Sequence, residues 1–191
     1  MDVKIKSLEP NLIDDFLYFF DNIAFQDNPD WSSCYCHFYH FNGTNEEWMK
    51  TTGEENRNAS IKLIQSGKMT GYFAYLDNKP VGWCNANLKK NFQKLLLIEE
   101  FNTTFEGKLA SIVCFIISHL YRRKGVARKL LQHICMDLKQ KGYDCIEAYP
   151  RKGNKLSDAH QYRGPLLLYE SEGFRIYKEL ENFYIVRKEL K

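Results

Sequence analysis

The stretch SIVCFIISHLYRRKGVARKLL, residues 111–131, changes character halfway along. With Ala110 ahead of it, the run to Ile117 is continuously apolar and rich in β-branched residues, which reads as a strand buried on both faces. After a short polar turn, Leu130 and Leu131 begin an apolar stripe that Ile134 and Leu138 continue, and Gly142 ends it, as expected of an amphipathic helix with a glycine beyond its last turn. DCIEAY (144–149) then reads as a second strand. Strand, helix and strand in this span require a parallel pair joined by a right-handed crossover, so residues 110–149 set the class as α/β.

The flanking sequence adds antiparallel pieces. VKIKSL (3–8) alternates like a strand, and Pro10 opens a helix carrying Leu12, Ile13, Phe16, Leu17 and Phe20 at helical spacing. A loop rich in aromatics and cysteine covers 26–43, and helical stretches follow to Gly67. TGYFAYLDNKPVGWCNANL (70–88) is two strand-like runs joined at Asp77-Asn78-Lys79-Pro80, a hairpin signal. PLLLYESEGF (165–174) predicts a short helix with Pro165 in its first turn and Gly173 after its end. FRIYKEL and FYIVRKEL close the chain as strands. The expectation is a single α/β domain over 1–191 with a mixed sheet.

The chain has 191 residues, 44% hydrophobic and 27% charged, an ordinary globular balance that argues against disorder. Its net charge of +3 makes a polybasic nucleic-acid binder unexpected, so any anion site must be local. LASIVCFII (109–117) is too short to span a bilayer, and MDVKIKSLEP lacks the basic and apolar regions of a secretory leader. Of the six cysteines, Cys84, Cys114, Cys135 and Cys145 lie in apolar periodic stretches rather than loops. The expectation is a cytoplasmic protein with reduced thiols and no membrane partner.

The basic turn invites a ligand. The first N–H groups of a helix have no intrahelical partner and sit at the positive end of its dipole. Gly125 clears the approach to that backbone, Ala127 keeps it open, and Arg122, Arg123, Lys124, Arg128 and Lys129 add charge. Together they suit a dianion such as a pyrophosphate. The alternative from the residues alone is a solvated basic helix start. Neither G-x-x-x-x-G-K-[ST] nor a strand followed by G-x-G-x-x-G occurs, so the usual nucleotide loops are absent.

Arg122-Arg123-Lys124-Gly125-Val126-Ala127 resembles the [QR]-x-x-G-x-[GA] motif of GNAT-type N-acetyltransferases. The setting is similar too: a preceding apolar strand, a following helix, a late helix LLLYESEGF with the Tyr-x-x-x-Gly-Phe ending, and a hairpin GYFAYLDNKPVGW like the family's second and third strands. WSSCYCHFYH, VGWCNA, SIVCF and EAYPRKG are similar to a bacterial branch of that family. The resemblance covers about residues 3 to 188. It implies a mostly antiparallel sheet flanked by helices, with a central parallel pair that splays. It implies acetyl-CoA as co-substrate, its pyrophosphate on Arg122, Arg123, Lys124, Gly125, Val126, Ala127 and Arg128. The pantetheine arm would lie along the backbone of Phe115, Ile116 and Ile117, one of whose N–H groups would polarise the thioester carbonyl. Tyr169 aligns with the tyrosine that protonates the leaving thiolate. Two departures stand out. His119 occupies a position often held by proline, and SIVCFII carries no glutamate to serve as base.

Glu147, on DCIEAY with Tyr149 on the same side, could accept the amine proton; a solvated strand glutamate is the alternative. His119 is the other candidate base. Cys34, Cys36, His37 and His40 in WSSCYCHFYH could ligate zinc, but no second cysteine pair at zinc-finger spacing exists, so no metal is expected. Trp31, Tyr35, Phe38 and Trp48 could line an acceptor pocket or simply pack the loop. The reading is a direct acetyl transfer from acetyl-CoA to a primary amine, small-molecule or peptide. The alternative is a non-catalytic acyl-CoA sensor on the same fold. The acceptor and the choice between monomer and homodimer are left open.

Overall fold

The computed structural model describes residues 1–153 and 157–191. Among them, seven strands form one sheet: β1 (Lys4–Ser7), β2 (Gly71–Leu76), β3 (Lys79–Leu88), β4 (Leu109–Ile117), β5 (Cys145–Ala148), β6 (Arg175–Glu179) and β7 (Tyr184–Glu189). Their order is β1-β2-β3-β4-β5-β7-β6, and every neighbouring pair is antiparallel except β4–β5. The helices are α1 (Ile13–Asn22), α2 (Asn45–Trp48), α3 (Gly53–Gln65), α4 (Gln93–Leu97), α5 (Val126–Gln140) and α6 (Leu166–Ser171).

Local sequence explains the element ends. Asp77 and Asn78 both take left-handed backbone, φ 49° and 60°, which closes the β2–β3 hairpin in the twist its strands require. α2 and α3 each open on a capping box, Thr44 with Glu47 and Thr52 with Glu55, so two orphan donors are satisfied reciprocally at each start. Gly142 and Gly173, φ 70° and 84°, follow α5 and α6. Pro165 caps α6 from an extended conformation instead of occupying its first turn, because its ψ of 147° keeps it outside the helix.

The sheet separates two apolar layers. α5 lays Leu130, Leu131, Ile134 and Leu138 on one face, with Tyr169 of α6 beside them. Phe16, Phe19 and Phe20 of α1 and Ile64 of α3 cover the other, packed around Trp83.

β4 is the centre of the fold and is buried along its whole length. Asn85 faces Cys114 while Ala86 faces Ile112, so Val113 is an extra residue on β4. This bulge shifts the alternation by one: Ala110, Ile112, Phe115 and Ile117 all point to the α5 layer, while Val113, Cys114 and Ile116 point to the α1 layer. The parallel pairing of β4 with β5 runs only from Leu109–Cys145 to Ile112–Ala148. Beyond the bulge, β4 continues to Ile117 without β5, and the pair opens on that side.

Candidate active site

A cleft of about 960 Å³ lies where β4 leaves β5. Phe115, Ile116 and Ile117 form its floor, Arg122, Arg123 and Gly125 to Arg128 one wall, and Gly164 to Leu168 at the start of α6 the other. The structure therefore brings together nine of the ten residues predicted for the cofactor. Lys124 is the exception: it does not line the cleft, and its ammonium lies 5.7 Å from the Tyr121 ring centroid.

The turn is built for backbone access. Gly125 has φ 82°, and a Cβ placed on it would meet nothing within 4 Å. The α5 ladder begins with Lys129 N–H donating to Gly125 O, 3.0 Å, so the N–H groups of Val126, Ala127 and Arg128 precede it. The basic side chains are paired with carboxylates. Arg122 forks onto Asp27 and also donates through Nε to Ile117 O, 3.0 Å. Arg123 bonds Asp158, 2.7 Å, and Arg128 lies 3.3 Å from Glu172. The Arg122 guanidinium holds Asp27 below its ordinary carboxylate value, and Arg123 does the same to Asp158. Arg123 is 80% exposed, and an exposed pair of this kind contributes about 0–1 kcal/mol, so a dianion can exchange with the aspartate at little cost.

The open edge of β4 is occupied from within the chain. Phe115 N–H donates to Tyr162 O at 2.5 Å. One residue on, Arg163 O accepts from the Tyr169 hydroxyl at 2.7 Å. Tyr169 is completely buried, and burial pushes its phenol well above the ordinary value. Its ring packs against Phe115 and Phe174, with centroids 6.3 and 5.2 Å away, and lies under Gly164, where a Cβ would come within 2.9 Å of it. Tyr169 thus stands directly behind the cleft wall formed by Gly164 to Leu168.

Glu147 is neither solvated nor in the cleft. Its side chain has no exposed surface, because β5 lies between β4 and β7 in the middle of the sheet. Oε1 accepts from Lys89 Nζ, 2.7 Å, and Tyr149 Oη, 2.6 Å; Oε2 accepts from Thr103 Oγ1, 2.7 Å, and Arg187 Nε, 2.8 Å. Burial alone would raise this carboxyl, but Lys89 and the hydrogen bonds hold it below its ordinary value. Ser111 Oγ, on β4, lies 2.8 Å from Tyr149 Oη. The cluster ties β4, β5 and β7 together just below the point where the cleft opens. His119 is exposed and is not part of the cleft lining.

WSSCYCHFYH divides. Trp31 reaches the cleft, its ring 5.1 Å from His160 and 5.4 Å from Tyr162. Tyr35 instead bonds Asp21, and Phe38 and Trp48 pack on each other. His37 Nδ1 is 2.9 Å from Asn56, and Asn85 donates to Cys36 Sγ at 3.2 Å. The six cysteines are unpaired. Among the described residues, no three His, Cys, Asp or Glu side chains gather as a metal-binding group. No helix among the described residues is long and apolar enough to cross a membrane.

Sequence reading missed the segment Ser157–Gly164, which has no periodicity and no motif. It also missed Asp27 and Asp158 as partners of the basic turn, lying 95 and 35 residues away from the arginines they bind.

The fold is similar to three bacterial and archaeal structures. An N-acetyltransferase from Staphylococcus aureus matches at 14% identity over 100% of both chains with a TM-score of 0.58. A GNAT-family acetyltransferase from Streptococcus pneumoniae matches at 15% over 100% of both, TM-score 0.57. The PaiA N-acetyltransferase from Thermoplasma acidophilum, solved in complex with coenzyme A, matches at 17% over 99% of both, TM-score 0.58. Among curated proteins, none matches the chain. The family model for the acetyltransferase (GNAT) family matches residues 28–159, more than half of the chain. With the bulged central strand, the short parallel pairing and the glycine turn at the head of α5, the chain belongs to the GNAT acetyltransferase family.

Proposed function

We propose that the protein transfers the acetyl group of acetyl-CoA to a primary amine of a small molecule or peptide, by direct attack in a ternary complex. One observation carries this reading: the edge of β4 that β5 leaves, the glycine turn of α5 and the helix bearing Tyr169 converge on one cleft. The pyrophosphate sits on the N–H groups of Val126, Ala127 and Arg128, with Arg122, Arg123 and Arg128 exchanging carboxylate for phosphate. Lys124 contributes only to the local field. The pantetheine runs along Phe115, Ile116 and Ile117, and the N–H now given to Tyr162 O polarises the thioester carbonyl. Tyr169, released from Arg163 O, protonates the thiolate. We assign Glu147 the role of fixing β4, β5 and β7, and leave the amine proton to water in the cleft. The same reading places the protein in the cytoplasm, without metal, nucleic acid or membrane.

A second reading, an acyl-CoA sensor, is favoured by the carboxylates. Among the described residues of the cleft lining, the carboxylates Asp27, Asp158 and Glu179 are all ion-paired, so none of them stands as a free base. A thiol-release screen of the purified protein with acetyl-CoA and a broad amine panel separates the two. Amine-dependent release supports the transferase; tight coenzyme A binding without release from any amine supports the sensor.

A further inference from the structure

Among the described residues, Arg163 is the one cation lining the cleft that is buried and has no counter-charge. It is 8% exposed and takes part in no ion pair among the described residues. Its Nε and Nη1 are buried without hydrogen-bond partners. The guanidinium carbon lies 4.3 Å from the ring centroid of Phe183, 5.3 Å from Phe101, 5.6 Å from Tyr39 and 5.7 Å from Tyr162. Tyr39 and Tyr162 hydrogen-bond the guanidinium, but aromatic faces do not satisfy the Nε and Nη1 donors, and a buried donor left unmade costs about 1–3 kcal/mol. Buried Lys89 and half-buried Arg187 and Arg122 are treated differently. Lys89 and Arg187 share Glu147, and Arg122 has Asp27.

Position gives this charge a use. Arg163 lines the cleft and also a second cavity of about 320 Å³, and it is the only described residue that lines both. Ile98, Phe101, Leu180 and Phe183 make the second cavity apolar, while Glu100 and Glu181 stand exposed on it and pair with nothing in the cavity. Glu100 and Glu181 repel every anion, and a phosphate dianion about twice as strongly as a singly charged carboxylate, so charge favours the carboxylate of the two. Along the chain, Arg163 follows the carbonyl that holds Phe115 N–H, and its side chain lies between the cleft and the second cavity.

We propose that Arg163 anchors the carboxylate of the acceptor, and that the acceptor is an amino acid with an apolar side chain seated in the second cavity. This deepens, and rests on, the acetyl-transfer reading. The C–N bond forms as the thioester C–S bond breaks, and one proton passes from amine to thiol, so no further reactant is required.

The test is binding, read apart from turnover. L-Phenylalanine and L-leucine, each with its carboxamide, are titrated by calorimetry into the protein saturated with coenzyme A, using wild type, Arg163→Met and Arg163→Lys. The acids should bind wild type at least about 10-fold more tightly than the amides, the value of a hydrogen-bonded charge. Arg163→Met should abolish that preference and Arg163→Lys retain part of it. Arg163→Met should also melt close to wild type, since the two unmade donors it removes offset the aromatic contacts it gives up. Equal affinity for acid and amide, no binding of either acid, or a preference that survives in Arg163→Met overturns the proposal. So does a preference lost together with a lower melting temperature, which would mark a packing residue. Failure of the transferase reading looks different: the acid preference is intact, yet no amine is acetylated.

Discussion

Phe115 N–H and Tyr162 O are joined by a 2.5 Å hydrogen bond across the point where β4 leaves β5. The segment that supplies this carbonyl also supplies the carbonyl of Arg163 that accepts from Tyr169. Any ligand that pairs with the β4 edge at Phe115 must displace Tyr162, and a shift of one residue reaches the other bond. On the proposed mechanism, coenzyme A binding is thereby coupled to release of the Tyr169 hydroxyl. Hydrogen exchange in residues 157–164 should speed up when coenzyme A is bound, while the first turn of α5 slows. Unchanged exchange in 157–164 at saturating coenzyme A would remove the coupling.

Tyr169→Phe keeps the ring on Phe115 and Phe174 and removes only the hydroxyl. With an accepted amine, kcat should fall by roughly 10² to 10⁴, the worth of a positioned proton donor. Coenzyme A affinity should change little. The variant also leaves Arg163 O without its donor, so stability should drop by about 1–3 kcal/mol. Full kcat in a folded variant would take the acid away from Tyr169.

Gly125→Asp tests the turn. An added Cβ meets nothing within 4 Å, and the left-handed φ costs on the order of 1 kcal/mol. The protein should fold and should no longer bind coenzyme A, because the carboxylate stands where the pyrophosphate must approach. Calorimetry giving wild-type affinity would place the pyrophosphate elsewhere.

Glu147→Ala leaves Lys89 and Arg187 buried together without their shared carboxylate. Denaturant unfolding should show a loss of about 3–5 kcal/mol. Because the folded carboxyl titrates below its unfolded value, its contribution is complete above the unfolded pKa and is lost as pH falls through the folded one. Wild type should therefore lose stability in acid more steeply than the variant. Parallel stability profiles in acid would show that the cluster does not carry the effect.

His40 gives a second pH signature at milder pH. Burial, assisted by His37, pushes its pKa from 6.5 down to about 4, so the folded state resists protonation that the unfolded chain accepts. The sign follows: stability is complete above about pH 6.5 and declines as pH falls towards 4, by roughly 3 kcal/mol in all. Burial also lowers His37, which adds to the same slope. His40→Phe should flatten the profile between pH 6.5 and 4. A slope unchanged by that substitution would assign it to other groups.

The sequence alone determined what local pattern can encode. Apolar runs, glycine stops and the Asp77-Asn78 turn specified the strands, α5 and the hairpin, because period and φ preference are properties of neighbouring residues. The basic glycine turn specified where a dianion can reach backbone, because helix-end donors and charge sit within one segment. Tertiary structure decided the rest. Glu147 looked like a solvated strand residue, and only the positions of Lys89, Thr103 and Arg187 in space make it a sealed counter-ion. The bulge at Val113 arises from pairing with β3, which no run of β4 residues announces. Arg163 carries no motif; its meaning comes from Phe101 and Phe183, brought around it from elements distant in the chain, and from an Nε and Nη1 left without hydrogen-bond partners among the described residues. Local periodicity fixes elements, whereas burial and the pairing of charge are set by which distant elements meet.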